Sequence, residues 1–263
     1  MKKVLITGGS SGLGYGLSEK FAEAGYTLLW VAKPEEELER AKEKIVKKLP
    51  SLIVMTLAKD LTQEDACSEV YEWAKEYGPI DVLVNNAGFG TYGLLNTIPI
   101  ERELAMIDLN VKALYMLSRY FLKYMVERDE GTFINISSNS SFETVPRLLT
   151  YSSTKAFVKH FSRGLNEELK MMGSKVKTIT ICPAAISDTP FKTSGDMAQV
   201  NTFSKGLATT NTQEVVKDIW CAFTNNKSYR VSGWKMRWLA KLNGILPFGL
   251  VMYLTKRETD VEG

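Results

Sequence analysis

The chain of 263 residues contains few of the side chains on which several classes of protein depend. Its one histidine is His160, and its three cysteines, Cys67, Cys182 and Cys221, lie far apart. A Ser-His-Asp hydrolase needs a well-placed imidazole and a zinc site needs closely spaced cysteines or histidines, so the sequence disfavours both. Dispersed cysteines of odd number indicate a reducing compartment, in which each thiol is a small apolar group.

Long apolar runs and an excess of one charge are also lacking. The net charge is only +3, with lysine and arginine spread along the chain, which favours a mixed solvated surface over a nucleic-acid-binding one. No uninterrupted apolar stretch reaches the length of a transmembrane helix. The apolar run after Met1-Lys2-Lys3 ends at Thr7 and is too short for a signal peptide. We therefore expect a cytoplasmic protein that binds neither nucleic acid nor metal.

What the chain does have is a regular alternation of short apolar runs and longer amphipathic stretches. The strand runs are apolar at nearly every position, as expected for strands buried on both faces of a parallel sheet. The pattern predicts an α/β fold, with one Rossmann-like, doubly wound parallel sheet of about seven strands and helices on both faces. A single domain over residues 1–263 is expected. Strands are predicted at 4–7, 27–32, 52–57, 82–85, 132–137, 176–182 and 229–232, and helices at 13–24, 35–49, 62–77, 100–127, 151–172 and 212–224.

A glycine-rich turn, residues 7–14, separates the first strand from the first helix and is called the phosphate turn below. Glycines allow the backbone to turn tightly and to approach a pyrophosphate, and the helix N-terminus offers free N–H groups and a partial positive charge. The turn lacks the Gly-Lys-Ser/Thr ending of a nucleoside-triphosphatase loop. It therefore predicts phosphate binding by Gly8, Ser10, Ser11, Gly12, Leu13 and Gly14.

The Thr-Gly-x-x-x-Gly-x-Gly spacing of this turn resembles that of the short-chain dehydrogenase/reductase family. Further segments between residues 3 and 232 extend the resemblance, and in this order they are together highly specific. The resemblance implies an oxidoreductase that transfers a hydride between a nicotinamide and a carbonyl or alcohol. The segments are Lys59-Asp60-Leu61, Asn85-Asn86-Ala87-Gly88, Asp108-Leu109-Asn110-Val111, Ser138, and Tyr151-Ser152-Ser153-Thr154-Lys155.

The resemblance also implies a role for each matching residue. Tyr151 is expected to be the acid/base, and Ser138 to bind the substrate oxygen. Lys155 is expected to hold the nicotinamide ribose, and Asn110 to hold a water that connects this lysine to solvent. The implied contacts on the adenine side of the cofactor are Asp60, Leu61, Asn86, Ala87 and Gly88.

The residue types support this chemistry independently. Tyr151 and Lys155 are four residues apart, so one helix face carries both. An ammonium near a phenol stabilises the phenolate, so the spacing predicts that the pKa of Tyr151 lies below its usual value of about 10. Ser138 follows a predicted strand, where its hydroxyl can hydrogen-bond the substrate oxygen and stabilise developing charge.

The end of the second strand bears on the choice of cofactor. Ala32 stands where NAD-preferring relatives often carry Asp, and Lys33 stands where NADP-preferring relatives usually carry Arg. A cation facing a 2′-phosphate favours NADP(H) over NAD, although lysine lacks the planar fork of arginine. Ser10 and Ser11 add no second cation, and the alternative is that Lys33 is a solvated turn residue.

The segment after the sixth strand departs from the family pattern, because Ala184 replaces a glycine. An alanine at positive φ would be strained, so we expect the loop to take an allowed conformation. Pro183 and Ile186 keep the positions of cofactor contacts, the latter at the carboxamide. Either Ser187 or Thr189 is expected at the pyrophosphate, and Thr189 is kept among the cofactor-binding residues.

Two segments near the C-terminus carry separate expectations. Residues 190–210 lie where the family places its mobile substrate lid, which would exclude water when closed. Residues 234–254 combine many apolar side chains with interleaved lysine and arginine. This segment either covers the substrate cleft or packs on a partner subunit; a second interpretation is a basic amphipathic segment on a membrane surface.

The leading functional hypothesis is NADP(H)-dependent reduction of a small-molecule ketone, such as a 3-oxoacyl compound, with alcohol oxidation as the reverse reaction. One alternative is a non-catalytic NADP-binding sensor, which the intact set of Ser138, Tyr151, Lys155 and Asn110 disfavours. Another is a peripheral, membrane-associated reductase. Family members usually form dimers or tetramers, so a homodimer or homotetramer is expected.

Overall fold

The computed structural model describes residues 1–192, 209–233, 236–238, 240 and 246–259. Most of the expected lid and parts of the 234–254 segment lie outside the described residues, so both expectations stay predictions. The described strands are β1 (Lys3–Thr7), β2 (Thr27–Ala32), β3 (Val54–Ala58), β4 (Val82–Asn85), β5 (Thr132–Ile136), β6 (Lys177–Cys182), β7 (Ala185–Ile186), β8 (Thr209–Thr210) and β9 (Tyr229–Val231).

Seven of these strands form one sheet in the order β3-β2-β1-β4-β5-β6-β9, and every pairing in it is parallel. From β1 the chain first adds β2 and β3 on one side and then continues with β4, β5 and β6 on the other. This change of direction places a crevice outside the carboxyl ends of β1 and β4. The doubly wound parallel sheet predicted from the apolar runs is therefore confirmed. The short strands β7 and β8 pair separately and were not predicted.

The apolar strands form because both faces of the sheet are covered. Val4 and Ile6 of β1 point into one core cluster, whereas Leu5 between them points into the other. The α-helices in chain order are α1 (Gly12–Glu23), α2 (Glu35–Lys48), α3 (Ala66–Glu76), α4 (Ile100–Ile107), α5 (Leu114–Arg128), α6 (Leu149–Met171) and α7 (Thr212–Thr224).

The helices divide between the two faces. Helices α1, α2 and α7 contribute to the first cluster, and α3, α5 and α6 contribute to the second. Because each face buries its own set of apolar side chains, the sheet is a rigid layer whose carboxyl edge can position polar groups. A further helix, Phe248–Thr259, follows at the C-terminal end.

Two predicted helices differ from the structure. The one predicted at 62–77 begins only at Ala66, because the Asp60 carboxylate binds the backbone N and the hydroxyl of Thr62 and holds a turn there. The one predicted at 100–127 is interrupted by π-helical residues Asp108–Ala113, between α4 and α5. No helix among the described residues combines the length and apolarity needed to cross a membrane.

Candidate active site

The phosphate turn lies directly after β1, and its backbone conformation requires glycine. Gly8 has φ +66° and Gly12 has φ +49°, both in the left-handed region. A Cβ on Gly14 would lie 2.0 Å from the carbonyl oxygen of Gly8, so no side chain fits there. Backbone and helix N-terminus therefore meet without intervening side chains, in a cradle that fits a pyrophosphate.

The segment after β4 is tied to the phosphate turn by hydrogen bonds. The amide of Asn86 donates to the carbonyl oxygen of Thr7 at 2.9 Å, and the Thr7 hydroxyl accepts from the backbone N of Asn86 and Ala87 at 3.0 Å each. Asn85 instead lies within the sheet, where its amide donates to Asn135 at 2.8 Å. The sequence-predicted residues Asn86 and Ala87 thus wall the same crevice as Gly8.

The structure brings together Ser138, Tyr151 and Lys155, the residues that the sequence predicts to be catalytic, and these three are called the catalytic group below. Ser138 follows β5, and the other two lie in the first turns of α6. All three are buried, with exposed fractions of 8%, 8% and 5%. The Ser138 hydroxyl lies close enough to the phenol of Tyr151 to lower its pKa, and the Lys155 Nζ lies 5.8 Å from the centroid of the Tyr151 ring.

The expected lowering of the Tyr151 pKa is wrong for this structure. Burial disfavours the phenolate and raises the pKa to about 12, with the Ser138 hydroxyl opposing the shift. Lys155 does not reverse this, because its ammonium is directed to the carbonyl oxygen of Ile136 at 3.1 Å. Burial also lowers the pKa of Lys155 to about 8. Tyr151 is consequently a neutral phenol at physiological pH, with a proton to donate.

Asn110 occupies the π-helical segment and is only 1% exposed. Its amide donates to the carbonyl oxygen of Phe89 at 2.9 Å and to the hydroxyl of Thr154 at 3.1 Å, and its oxygen accepts from the Phe89 N–H at 3.1 Å. The side chain is thus hydrogen-bonded within the protein, and its expected contact with a water stays a prediction. Gly88 separates it from Lys155, since a Cβ there would lie 2.7 Å from the Asn110 oxygen and 3.4 Å from the Lys155 Nζ.

Lys33 and Asp60, predicted to contact opposite parts of the adenosine, form an ion pair with each other. Burial raises the pKa of Asp60, but hydrogen bonds from Lys33 and Thr62 outweigh it and lower the pKa overall. The Lys33 side chain is 60% exposed, and such surface pairs contribute only about 0–1 kcal/mol. Leu61 is buried in the second core cluster.

The segment after β6 approaches the phosphate turn. The Cβ position of Gly12 lies 3.2 Å from the Cβ of Thr189, whereas Ser187 is hydrogen-bonded to the carbonyl oxygen of Thr210. Thr189 is therefore the better placed of the two for a pyrophosphate.

Ala184 does not have a positive φ, so the loop avoids the strain that an alanine would suffer in that conformation. The remaining predicted contacts, Pro183 and Ile186, lie in the same segment, the latter against the first core cluster.

An apolar cluster lies on one side of the Tyr151 ring. The rings of Tyr151 and Phe191 have centroids 5.6 Å apart. Phe191 packs in a small apolar cluster with Tyr92, Val145, Leu148 and Ala185. A substrate carbonyl that reaches the phenol would therefore carry its substituents along an apolar surface.

The C-terminal helix lies against the loop that follows Ser138. Val251 and Thr255 are buried, and the Thr255 hydroxyl lies 3.5 Å from a carboxylate oxygen of Glu143. Trp238 and Tyr253 are exposed. This packing agrees with a cover over the substrate cleft, which stays a prediction.

A cavity beside the phosphate turn is lined by the predicted residues Ser10, Ser11 and Gly12 and, in addition, by residues of α2 that were not predicted to take part. It has a volume of about 330 Å³ and lies between the turn and α2. The signal in the sequence was Arg40 and Lys44, whose spacing of four residues places both on one face of α2. The lining residues are Ser10, Ser11, Gly12, Tyr15, Glu37, Arg40, Ala41 and Lys44.

The sheet order, the glycine cradle at its switch point and the adjacent catalytic group define a Rossmann-like α/β oxidoreductase. A family model described as short chain dehydrogenase matches residues 2–199. The chain belongs to the short-chain dehydrogenase family, as its motifs predicted, and thus to enzymes that act on CH–OH or C=O groups.

Individual relatives agree with this assignment. A 3-oxoacyl-[acyl-carrier-protein] reductase of Chlamydia muridarum is 30% identical over 236 residues, which is 88% of this chain and 93% of that protein. A short-chain dehydrogenase from Sphingobium yanoikuyae, solved in complex with NADPH, is 28% identical with a TM-score of 0.81, covering 96% of this chain and 95% of that one. A short chain dehydrogenase/reductase from Burkholderia phymatum in complex with NAD has a TM-score of 0.83 over 98% and 96% of the chains, and at 20% identity it shows the shared fold alone.

Proposed function

We propose that this protein is an NADPH-dependent reductase of a small-molecule ketone with apolar substituents, such as a 3-oxoacyl compound. The observation that carries the proposal is the burial of Ser138, Tyr151 and Lys155 side by side at the carboxyl edge of the sheet. The 3-oxoacyl reductase relative and the NADPH-bound relative support the substrate class and the cofactor.

The residues of the catalytic group divide the work of carbonyl reduction. Ser138 hydrogen-bonds the substrate oxygen and stabilises the negative charge that develops there. Tyr151 donates its phenolic proton to the same oxygen, since the buried phenol is protonated at neutral pH. The nicotinamide, when bound, supplies the hydride. Lys155 would hold the ribose side of the cofactor, and its Nζ, 5.8 Å from the centroid of the Tyr151 ring, would take part in returning a proton from solvent to the phenolate.

The proposal is tested with a panel of aliphatic, aromatic and 3-oxoacyl thioester ketones, each with NADPH and with NADH. We expect turnover with at least one ketone and a higher kcat/KM with NADPH. Tyr151→Phe should lower kcat by about 10²–10⁴-fold, the usual contribution of a positioned acid. Tyr77→Phe is the matched control, because it removes a phenol hydroxyl at the C-cap of α3, away from the catalytic group.

Two outcomes would contradict the proposal. Full activity in Tyr151→Phe would remove the phenol from the mechanism. Tight binding of NADPH without turnover of any ketone or alcohol would favour the alternative of a nucleotide sensor.

A further inference from the structure

The cavity between the phosphate turn and α2 carries a net positive charge. Arg40 and Lys44 line it from α2, and Glu37 is the one carboxylate among its lining residues. Within the described part of the chain, neither cation has a carboxylate oxygen within 4.0 Å. These two charges are therefore not neutralised by an ion pair, unlike that of Lys33.

Both cations are held over the cavity by contacts of their own. The Nε of Arg40 donates to the carbonyl oxygen of Glu36 at 3.2 Å, which leaves the terminal nitrogens of the guanidinium for another acceptor. The Nζ of Lys44 lies 5.1 Å from the centroid of the Tyr15 ring. Such a cation–π contact orients an ammonium and still leaves its N–H donors available.

The opposite wall of the cavity offers neutral donors. Ser11 is the N-cap of α1, but its side chain makes no capping hydrogen bond. The hydroxyl of Tyr15 is buried and has no hydrogen-bond partner among the described residues. Burial raises the pKa of Tyr15, so this hydroxyl stays protonated. The free N–H groups at the start of α1 add a partial positive charge on the same side.

This combination suits a phosphate monoester, which presents several acceptor oxygens and up to two negative charges. The phosphate turn and the end of β2 bound the space in which the adenosine ribose of a dinucleotide lies in Rossmann-like folds. The cavity opens beside that space, with Ser10 and Ser11 common to both. A monoester on this ribose would therefore reach Arg40 and Lys44.

We propose that this cavity binds the 2′-phosphate of NADP(H), and that Arg40 and Lys44 are the residues that select this cofactor over NAD(H). The inference rests on the proposed function for the identity of the cofactor, and it assigns to α2 a selectivity that the sequence pattern attributed to Lys33. The ion pair between Lys33 and Asp60 explains the difference, because it directs that cation to a carboxylate.

The experiment measures direct binding of NADPH and NADH, and of 2′,5′-ADP and 5′-AMP, to the wild type and to Arg40→Gln/Lys44→Gln. We expect the double variant to bind NADPH and 2′,5′-ADP at least about tenfold more weakly, since it removes two charged hydrogen-bond donors from the phosphate. Binding of NADH and 5′-AMP should change little. Lys42→Gln/Lys47→Gln removes the same charge from α2 without touching the cavity and should retain the wild-type preference.

A titration with inorganic phosphate separates the 2′-phosphate site from a general anion site. Phosphate should compete with NADPH more strongly than with NADH in the wild type, and this difference should vanish in Arg40→Gln/Lys44→Gln. Equal competition against both cofactors, or an equal loss in the Lys42→Gln/Lys47→Gln control, would overturn the inference.

The binding data keep this inference separate from the proposed function. If the variant loses its preference for NADPH but no ketone is reduced, the cavity assignment stands and the reductase proposal falls. If ketones are reduced and the variant keeps the NADPH preference, the reductase proposal stands and the cavity assignment falls. A wild type without preference for the 2′-phosphate would also overturn it.

Discussion

The phosphate turn and the catalytic group lie at the same edge of one sheet, yet they are built in opposite ways. The turn is shaped by glycines and backbone N–H groups, and the charged side chains beside it, such as Lys33 and Arg40, are exposed to solvent. The catalytic group consists of side chains that are almost completely buried, and burial moves the pKa values of Tyr151 and Lys155 in opposite directions.

The difference shows which physical quantity controls each region. Exposed charges act in a high dielectric and are screened by salt, so single substitutions near the turn should have moderate, salt-dependent effects. Buried polar groups act in a low dielectric, where losing a partner or a charge has larger consequences. The predictions below test this contrast, beginning with the largest expected effect.

Ser138→Ala should lower the rate more than any substitution in the phosphate turn does, because it removes a buried donor from the substrate oxygen. We expect kcat for ketone reduction to fall by about 10²–10³-fold, the usual loss for one such donor. The Ser138 hydroxyl also accepts from the Ser140 N–H at 3.2 Å, so unfolding should become easier by about 1 kcal/mol. Steady-state kinetics and urea unfolding measure the two effects.

Ser138→Thr is the control for this prediction, since it keeps a hydroxyl at the same position. It should recover a large part of kcat. If Ser138→Ala retained wild-type kcat, the buried donor would have no part in stabilising the developing charge.

Gly14→Ala should disturb the phosphate turn without altering any charge. The added methyl would lie 2.0 Å from the Gly8 carbonyl oxygen, which belongs to the backbone and cannot move aside cheaply. We expect a loss of about 1–3 kcal/mol in folding stability together with weaker NADPH binding. Thermal unfolding with and without NADPH measures both.

Gly16→Ala provides the comparison two residues further along α1. Its Cβ would meet only side-chain methyl groups, of Thr212 at 2.9 Å and Val216 at 3.0 Å. NADPH affinity should stay within a factor of about two, because no backbone near the phosphates shifts. Equal losses in the two variants would show that backbone proximity at Gly14 is not what the turn requires.

The motifs predicted most of this fold and the composition of the site, because both depend on local sequence. Strands buried on both faces are continuously apolar, and the phosphate turn needs glycine at fixed positions. The π-helical segment around Asn110 could not be predicted in this way, since it depends on hydrogen bonds to Phe89, twenty-one residues away in the chain. The partner of Lys33 is equally non-local, because Asp60 follows a different strand.

The prediction that the pKa of Tyr151 is lowered was wrong for a related reason. Spacing along a helix places Lys155 on the same face, but the size of its effect depends on where its ammonium points and on how deeply both groups are buried. The ammonium points to the Ile136 carbonyl, and desolvation exceeds every favourable contact of the phenolate. Neither quantity can be derived from a four-residue spacing.

Lys155→Met should change stability and activity in opposite directions: it should abolish ketone reduction and make the folded protein more stable. Burial lowers the pKa of Lys155 from 10.5 to about 8, so below pH 8 the folded protein must hold an unfavourable buried charge. Met removes that charge at similar volume. We expect the variant to be inactive in ketone reduction and, at pH 7, more stable by roughly 1–2 kcal/mol, after allowing for the lost hydrogen bond to Ile136.

The pH dependence of this gain follows from proton linkage. Between pH 8 and 10.5 the unfolded wild type binds a proton at Lys155 that the folded wild type has released, so wild-type stability rises with pH over this range. The advantage of Lys155→Met should shrink accordingly. Urea unfolding at pH 7, 8 and 9 avoids the range above pH 10, in which the raised pKa of Tyr151 lowers the stability of both proteins. An advantage that grows with pH would contradict the burial argument.

The smallest effects should come from glycines outside both regions, and their signs should differ. Gly164 lies within α6 and Gly173 just beyond its end, and a Cβ at either would meet no atom within 4 Å. Gly173 has φ +67°, whereas Gly164 has no such conformation. Gly164→Ala should therefore stabilise the protein by about 0.5–1 kcal/mol through its higher helix propensity. Gly173→Ala should destabilise it by about 1–2 kcal/mol, because an L side chain is strained there.

Thermal unfolding distinguishes the two variants, and ketone reduction by Gly164→Ala should equal that of the wild type. Destabilisation by Gly164→Ala as well as by Gly173→Ala would contradict the prediction. It would mean that α6 is sensitive to an added methyl group on its exposed face and not only at the buried catalytic group.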